Sequence, residues 1–351
     1  MIDWKLALAT ASRLSRPGPE LTDAEVADVV AELRQAAARA EGPVREYTGL
    51  LATGALGAPS PILVVDRPRW VEANLATFRV LTDPIGRKLA ESGRAPTGLS
   101  KKVGEKLSGA QVGAVMSFVS SKVLGQFDPF WTGPAGEGGR LLLVAPNIVA
   151  AEQAMKVDPH DFRLWVCLHE ETHRVQFTAV PWLREHLRSS IDELVSSTDL
   201  DDQSLSRLLD QGVGEVLKAI RNDPDASLAS VFQNDRQREL VDTMTGVMSL
   251  LEGHADVVMD GVGPQVVPSV AEIRRKFQRR RQGSGSIDRL VRKLLGLDAK
   301  ARQYRDGAVF VRSVVDTVGL DGFNAVWADP AHLPSRAEIL DPSAWVSRVH
   351  G

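Results

Sequence analysis

The stretch Cys167-Leu168-His169-Glu170-Glu171-Thr172-His173-Arg174-Val175-Gln176 decides the reading of this chain, because it contains His-Glu-x-x-His. On a helix, residues four apart share a face, so His169 and His173 can grip one metal ion. Glu170 beside them is the candidate general base, placed to take a proton from an attacking water. Asp158-Pro159 opens the helix, with Asp as N-cap and Pro at the first helical position. Phe162, Trp165, Leu168, Thr172 and Val175 recur at three- and four-residue spacing and predict a mainly apolar inward face. Pro181 stops the helix. Two satisfied core histidines are the plain alternative; the spacing with its intervening glutamate favours a zinc site.

Upstream, Arg140 to Ala145 reads as a short strand after a Gly-rich loop over Gly133 to Gly139. Such a strand can wall a substrate cleft, its edge free to pair with an extended peptide. A catalytic zinc takes three protein ligands and leaves one position open, so a third ligand is needed. Leu251-Glu252-Gly253-His254-Ala255-Asp256 offers it. Glu252 and Asp256 share a helix face, with Glu252 as ligand and Asp256 accepting a hydrogen bond from a ligating imidazole. His254 is the rival, about 200° round the helix from Glu252, so the two cannot both face the metal. Glu252 is preferred because only it brings a same-face carboxylate.

Cys167, two residues before His169, falls on a different face and reads as core. His160, His186, His332 and His350 lack ligand spacing. Of the two tyrosines, Tyr47 and Tyr304, the second is the candidate phenol donor to a developing oxyanion, set against a purely structural role that is the more common outcome.

The 351 residues, 43% hydrophobic and 25% charged with a net charge of -3, describe an ordinary globular composition without the basic excess of a nucleic-acid binder. Neither a signal peptide nor a membrane-spanning segment is expected, and one cysteine fits a reducing compartment, so a cytoplasmic location is expected. Thr22-Asp23-Ala24-Glu25 is a capping box opening a helix expected to end near Gly42-Pro43, with a second helical piece through Leu51. Ile62 to Val65 reads as a strand, and Trp70 to Leu81, Gly109 to Gly125, Trp182 to Ser196 and Ser204 to Ile220 as helices.

Ser117, Ser120 and Ser121 read as packing residues. A helix over Arg236 to Met259 is expected to end at Gly261-Val262-Gly263-Pro264. Arg274 to Arg281 holds the one dense basic cluster, read as a solvated face in preference to a phosphate or nucleic-acid site. Gln282 to Ser286 reads as a loop, Ile287 to Val318 as a last long helix, and Ala328 to Gly351 as irregular. The class is mostly α with a small sheet, an α+β fold. The expected organisation is one domain over 1–351, with an N-terminal helical part to about 130 and a metal-site part from about 131.

The segments Asp3-Trp4-Lys5-Leu6-Ala7, Arg16-Pro17-Gly18-Pro19, His169 to Phe177, Pro181-Trp182-Leu183 and Leu251 to Asp256 together resemble the zincin-like hydrolase/metallopeptidase family of actinobacteria, some of whose members carry a label linking them to deazaflavin coenzyme biosynthesis. The resemblance spans nearly the whole chain. It implies a zincin-like metallopeptidase fold of gluzincin type, with His169, His173 and Glu252 on zinc, Glu170 as base and Asp256 behind the ligands. The gap between the two motifs is longer than in thermolysin-like enzymes. The resulting expectation is a zinc hydrolase acting on a peptide or small amide, with a catalytically inactive zincin scaffold serving as a binding protein as the alternative. The sequence does not set the oligomeric state.

Overall fold

A three-stranded sheet lies among helices, and its central strand, Gly138–Val144, shows why. The computed structural model describes residues 2–51, 60–91, 98–134, 138–196, 235–282 and 297–351. In chain order the elements are α1 (Trp4–Leu14), α2 (Asp23–Thr48), β1 (Ile62–Val65), α3 (Arg67–Glu91), α4 (Gly98–Ser120), β2 (Gly125–Thr132), β3 (Gly138–Val144), α5 (Ala145–Met155), α6 (Pro159–Ala179) and α7 (Pro181–Ser196). There follow α8 (Asp235–Val266), α9 (Val270–Gln282), α10 (Leu297–Phe323), two single 3₁₀ turns, α11 (Arg336–Leu340) and α12 (Pro342–His350).

In β3, successive side chains alternate between faces. Leu141 and Leu143 join the core built on α2, α6 and α8, while Leu142 and Val144 join a second core with Ala7, Ala11, Trp70, Val71 and Met116. β3 therefore welds α1, α3 and α4 to the body that carries α6. Its order is β1-β3-β2, with β1 parallel and β2 antiparallel to β3. Both edges of β3 are thus taken, which corrects the expectation of a free edge on this strand. The outer strand on the α6 side is β2, which the sequence reading missed. It carries Pro129 and a register shift between Asp128 and Thr132, both of which break the alternation that announces a strand and suit an edge position.

Two helices run through their expected ends. α2 forms its capping box at Thr22 and Glu25 but continues past Pro43 to Thr48, closed by Gly49 at φ 66°. Burial of Val44 and Thr48 outweighs the hydrogen bond that proline removes. α8 likewise includes Pro264, with Val262 buried on its inward side. The C-terminal stretch is helical rather than irregular. Ser335 and Glu338 make a capping box for α11, and the fully buried Trp345 of α12 donates from Nε1 to the His332 carbonyl at 2.7 Å. The expected helix over Ser204 to Ile220 and the loop over 283–286 lie outside the described residues. Among the described residues, no helix is long and apolar enough to cross a membrane.

Candidate metal centre

α6 is buried nearly all round. Asp158 caps it by accepting from the Asp161 N–H at 2.9 Å, and Phe162, Leu168 and Val175 are fully buried. Its buried charges are matched by neighbours. Arg163 reaches Glu152 on α5 at 2.6 Å and Glu32 on α2; Arg174 reaches Glu171 at 2.7 Å and Glu41 on α2 at 2.7 Å. Glu171 is fully enclosed, and burial, only partly offset by Arg174, pushes its carboxyl up to about 7. Cys167 is core, its thiol pushed up by burial.

The outward edge of this helix carries His169 and His173, whose rings stand 4.8 Å apart and nearly perpendicular. Their side chains keep 31% and 14% exposure, so solvent reaches the pair. α8 brings Glu252 to them. Oε2 of Glu252 lies 3.6 Å from Nε2 of His169 and 3.7 Å from Nε2 of His173. These separations are too long for good hydrogen bonds but close to the ~3.4 Å between ligands around a tetrahedral zinc with bonds of about 2.0–2.2 Å.

All three donor atoms fall within 4.8 Å of one another, and no other such group of His, Cys, Asp or Glu occurs among the described residues. Two imidazole nitrogens and one carboxylate oxygen are a donor set suited to zinc. Burial opposes charge on Glu252, yet the two imidazoles hold its carboxyl well below the usual range. Burial likewise opposes charge on His173, but Glu252, with Glu170 and Gln176, pushes it up to about 9.

α8 reaches this place through glycine. A Cβ on Gly253 would sit 2.1 Å from the Gly307 carbonyl carbon, and one on Gly307 would sit 1.9 Å from the Ser249 carbonyl oxygen. α8 and α10 thus touch backbone to backbone one residue from Glu252.

His254 turns away from the cluster, as one of the pair must at that angular offset. It is buried between Phe323 and Trp327, with ring centroids at 5.5 and 5.3 Å, and burial drives its pKa down to about 3. Asp256 lies one turn beyond Glu252, where its carboxylate meets Arg274 at 3.1 Å and Arg312 at 3.6 Å. The side chain that hydrogen-bonds a clustered imidazole is Gln176, whose Oε1 is 2.9 Å from Nδ1 of His173. Sequence reasoning assigned Gln176 no role, although its three-residue spacing from His173 was visible.

The side chain of Tyr304 lies outside the described residues. In the basic cluster, Arg274 also binds Asp260 at 2.8 Å and Lys276 binds Glu272 at 2.5 Å, so at least these two cations are engaged within the chain.

Glu170 lies under β2. A Cβ at Gly125 would come within 2.5 Å of its Cγ and 2.9 Å of Oε1, so the first residue of β2 must be glycine for the carboxylate to lie where it does. This contact went unread because Gly125 looked like the end of a helix.

A zincin-like metallopeptidase family profile matches residues 2–346. Among solved structures, a protein of Chloroflexus aurantiacus described as "a putative hydrolase with a novel fold" aligns with a TM-score of 0.70 at 30% identity, covering 100% of this chain and 99% of that one. A comparison with curated proteins gave no match. On the extent of the family match, supported by the two-histidine, one-glutamate cluster on α6 and α8, this chain belongs to the zincin-like metallopeptidase family.

Proposed function

We propose that the chain is a zinc-dependent hydrolase of peptide or amide bonds, with His169, His173 and Glu252 as the zinc ligands and Glu170 as the general base. The observation that carries this reading is the convergence of the three donors within 4.8 Å, on a solvent-reachable face with Glu170 next in sequence to His169. Zinc, when bound, supplies a Lewis acid for the scissile carbonyl and makes water nucleophilic near neutral pH. Glu170 accepts one proton from the attacking water as its oxygen bonds to the carbonyl carbon, then delivers that proton to the leaving nitrogen as the C–N bond breaks. The close fit of Gly125 against Glu170 fixes where that carboxylate can stand. β2, the outer strand above it, is the edge on which an extended substrate would align. The coenzyme link carried by the resemblance adds no residue to this chemistry.

The test is elemental analysis of protein purified without added metal, beside Glu252→Ala and Glu170→Gln. About one zinc per chain in wild type and in Glu170→Gln, with little in Glu252→Ala, is expected. Turnover of a peptide library should fall by about 10²–10⁴ in Glu170→Gln. Absence of zinc from wild type, even when zinc is supplied, would reject the ligand set. Zinc without hydrolysis across the library would favour the binding-protein alternative.

A further inference from the structure

Gln176 is wholly buried and makes three hydrogen bonds, one within α6 and two that join it to α8. Its Nε2 is 2.9 Å from the Leu251 carbonyl oxygen and 2.9 Å from Nδ1 of His254, and its Oε1 is 2.9 Å from Nδ1 of His173. A carbonyl oxygen can only accept, so the contact with Leu251 fixes which end of the amide is nitrogen. Oε1 is then the atom at His173 and requires a proton on Nδ1. This leaves the Nε2 of His173, the atom nearer Glu252, as the free lone pair a metal needs. The second amide hydrogen goes to His254, which must present an unprotonated Nδ1 and carry its proton on Nε2. That Nε2 is buried with no hydrogen-bond partner among the described residues, enclosed by Phe323 and Trp327. Leu251 and His254 flank Glu252 on α8, so the amide sets His173 and Glu252 in register.

We propose that Gln176 is the positioning residue of the metal centre, locking the His173 tautomer through its amide oxygen and the place of Glu252 through its amide nitrogen, with His254 as the buried acceptor that completes the lock. The proposal rests on the ligand set given above. His254, the alternative ligand from sequence, thereby acquires a role behind the metal rather than on it.

The experiment measures zinc affinity of the full-length metal-free protein by competition with a chromophoric chelator, for wild type, Gln176→Leu, His254→Phe and the double variant. It also reads the histidine tautomers by two-dimensional ¹⁵N NMR of the zinc-loaded proteins. Loss of a residue that orients a metal ligand commonly costs about 10–100-fold in metal affinity, so a drop of that size is expected for Gln176→Leu. A smaller drop is expected for His254→Phe, and the double variant should be no weaker than Gln176→Leu, since both act through one chain of hydrogen bonds.

A bulk packing role would lower the melting temperature of the metal-free protein while leaving zinc affinity and the His173 signals unchanged. That result would overturn the proposal while the ligand set stands. Should Gln176→Leu fail to fold, His254→Phe decides alone: zinc affinity equal to wild type overturns the lock, and a several-fold loss supports it. Wild type that binds no zinc would remove the ligand set and the lock together, an outcome distinct from either.

Discussion

α6 and α8 carry the same centre, and they are held in opposite ways. α6 is fixed by charge: Arg163 and Arg174 each bridge a buried glutamate of α5 or α6 to a glutamate on α2. α8 is fixed by the absence of side chains, since Gly253 and Gly307 let two helix backbones meet beside Glu252. Ion pairs tolerate small displacements but fail when one partner leaves its mate buried. A backbone contact has no such slack and fails when any atom is added. The centre combines a helix whose rotation is set electrostatically with one whose distance is set sterically.

The largest effect expected from breaking this contrast is at Arg163. Arg163→Met would leave Glu152, 4% exposed, without its partner, at a cost of about 3–5 kcal/mol. Burial already raises the Glu152 carboxyl, with Arg163 opposing it. A carboxyl raised in the folded state contributes stability that is full below its unfolded value and is lost as pH rises through the folded one. The variant should therefore be weakest near neutrality and recover as pH falls toward the carboxylate range, read as urea midpoints across pH. A pH-independent loss would mean that packing, not charge, fixes this end of α6. Next is Gly253→Ala, with about 3 kcal/mol expected at the upper end of overpacking costs, no comparable pH dependence, and weaker zinc binding because Glu252 moves with the helix. Stability and zinc affinity close to wild type would show that the α8–α10 contact is looser than its geometry.

How much of this was legible follows the same division. His169 and His173 could be read because a helix period converts four-residue spacing into a shared face, and the Asp158 cap and the core positions agree with it. The angle between Glu252 and His254 shows only that one of them can face the histidines; the preference for Glu252 rests on Asp256 as a supporting carboxylate, whereas the structure brings Glu252 to the histidines and turns Asp256 to Arg274 and Arg312. Registration was not legible. Nothing local tells Gln176 that it will meet Leu251 and His254, 75 and 78 residues away, or Gly253 that Gly307 will lie against it. β2 was hidden by Pro129 and a bulge, and the continuation of α2 and α8 past Pro43 and Pro264 by burial that local propensity does not contain. Arg16-Pro17-Gly18-Pro19, part of the family resemblance, proves architectural: the Arg16 and Pro17 carbonyls accept from Arg67 at 2.5 and 3.0 Å, and Gly18 closes on Pro146.

A milder test separates chemistry from folding. Gly125→Ala places a methyl against the Glu170 side chain, Cγ foremost, rather than against backbone, so the carboxylate is displaced and stability should change less than at Gly253. Turnover should fall by roughly 10²-fold, because displacement of a reacting group by about 1 Å has that effect. Zinc content should not change. Wild-type turnover of the same peptide substrate would detach Glu170 from the position that β2 gives it.

The smallest effect is expected at Asp256, where the zincin resemblance and the observed contacts lead to different outcomes. The resemblance puts this carboxylate behind a zinc ligand, and its loss would then weaken zinc by about 10–100-fold. In the structure it is 44% exposed and bound to Arg274 and Arg312, an arrangement worth no more than about 1 kcal/mol at a solvated surface. Asp256→Ala should therefore leave zinc affinity within a few-fold of wild type, and raised salt should erase most of its stability cost. Measured beside Gln176→Leu in the same chelator assay, the two substitutions rank the supports of the centre. A loss at Asp256 equal to that at Gln176 would mean that α8 orients the ligands from its exposed face as well as from its buried one.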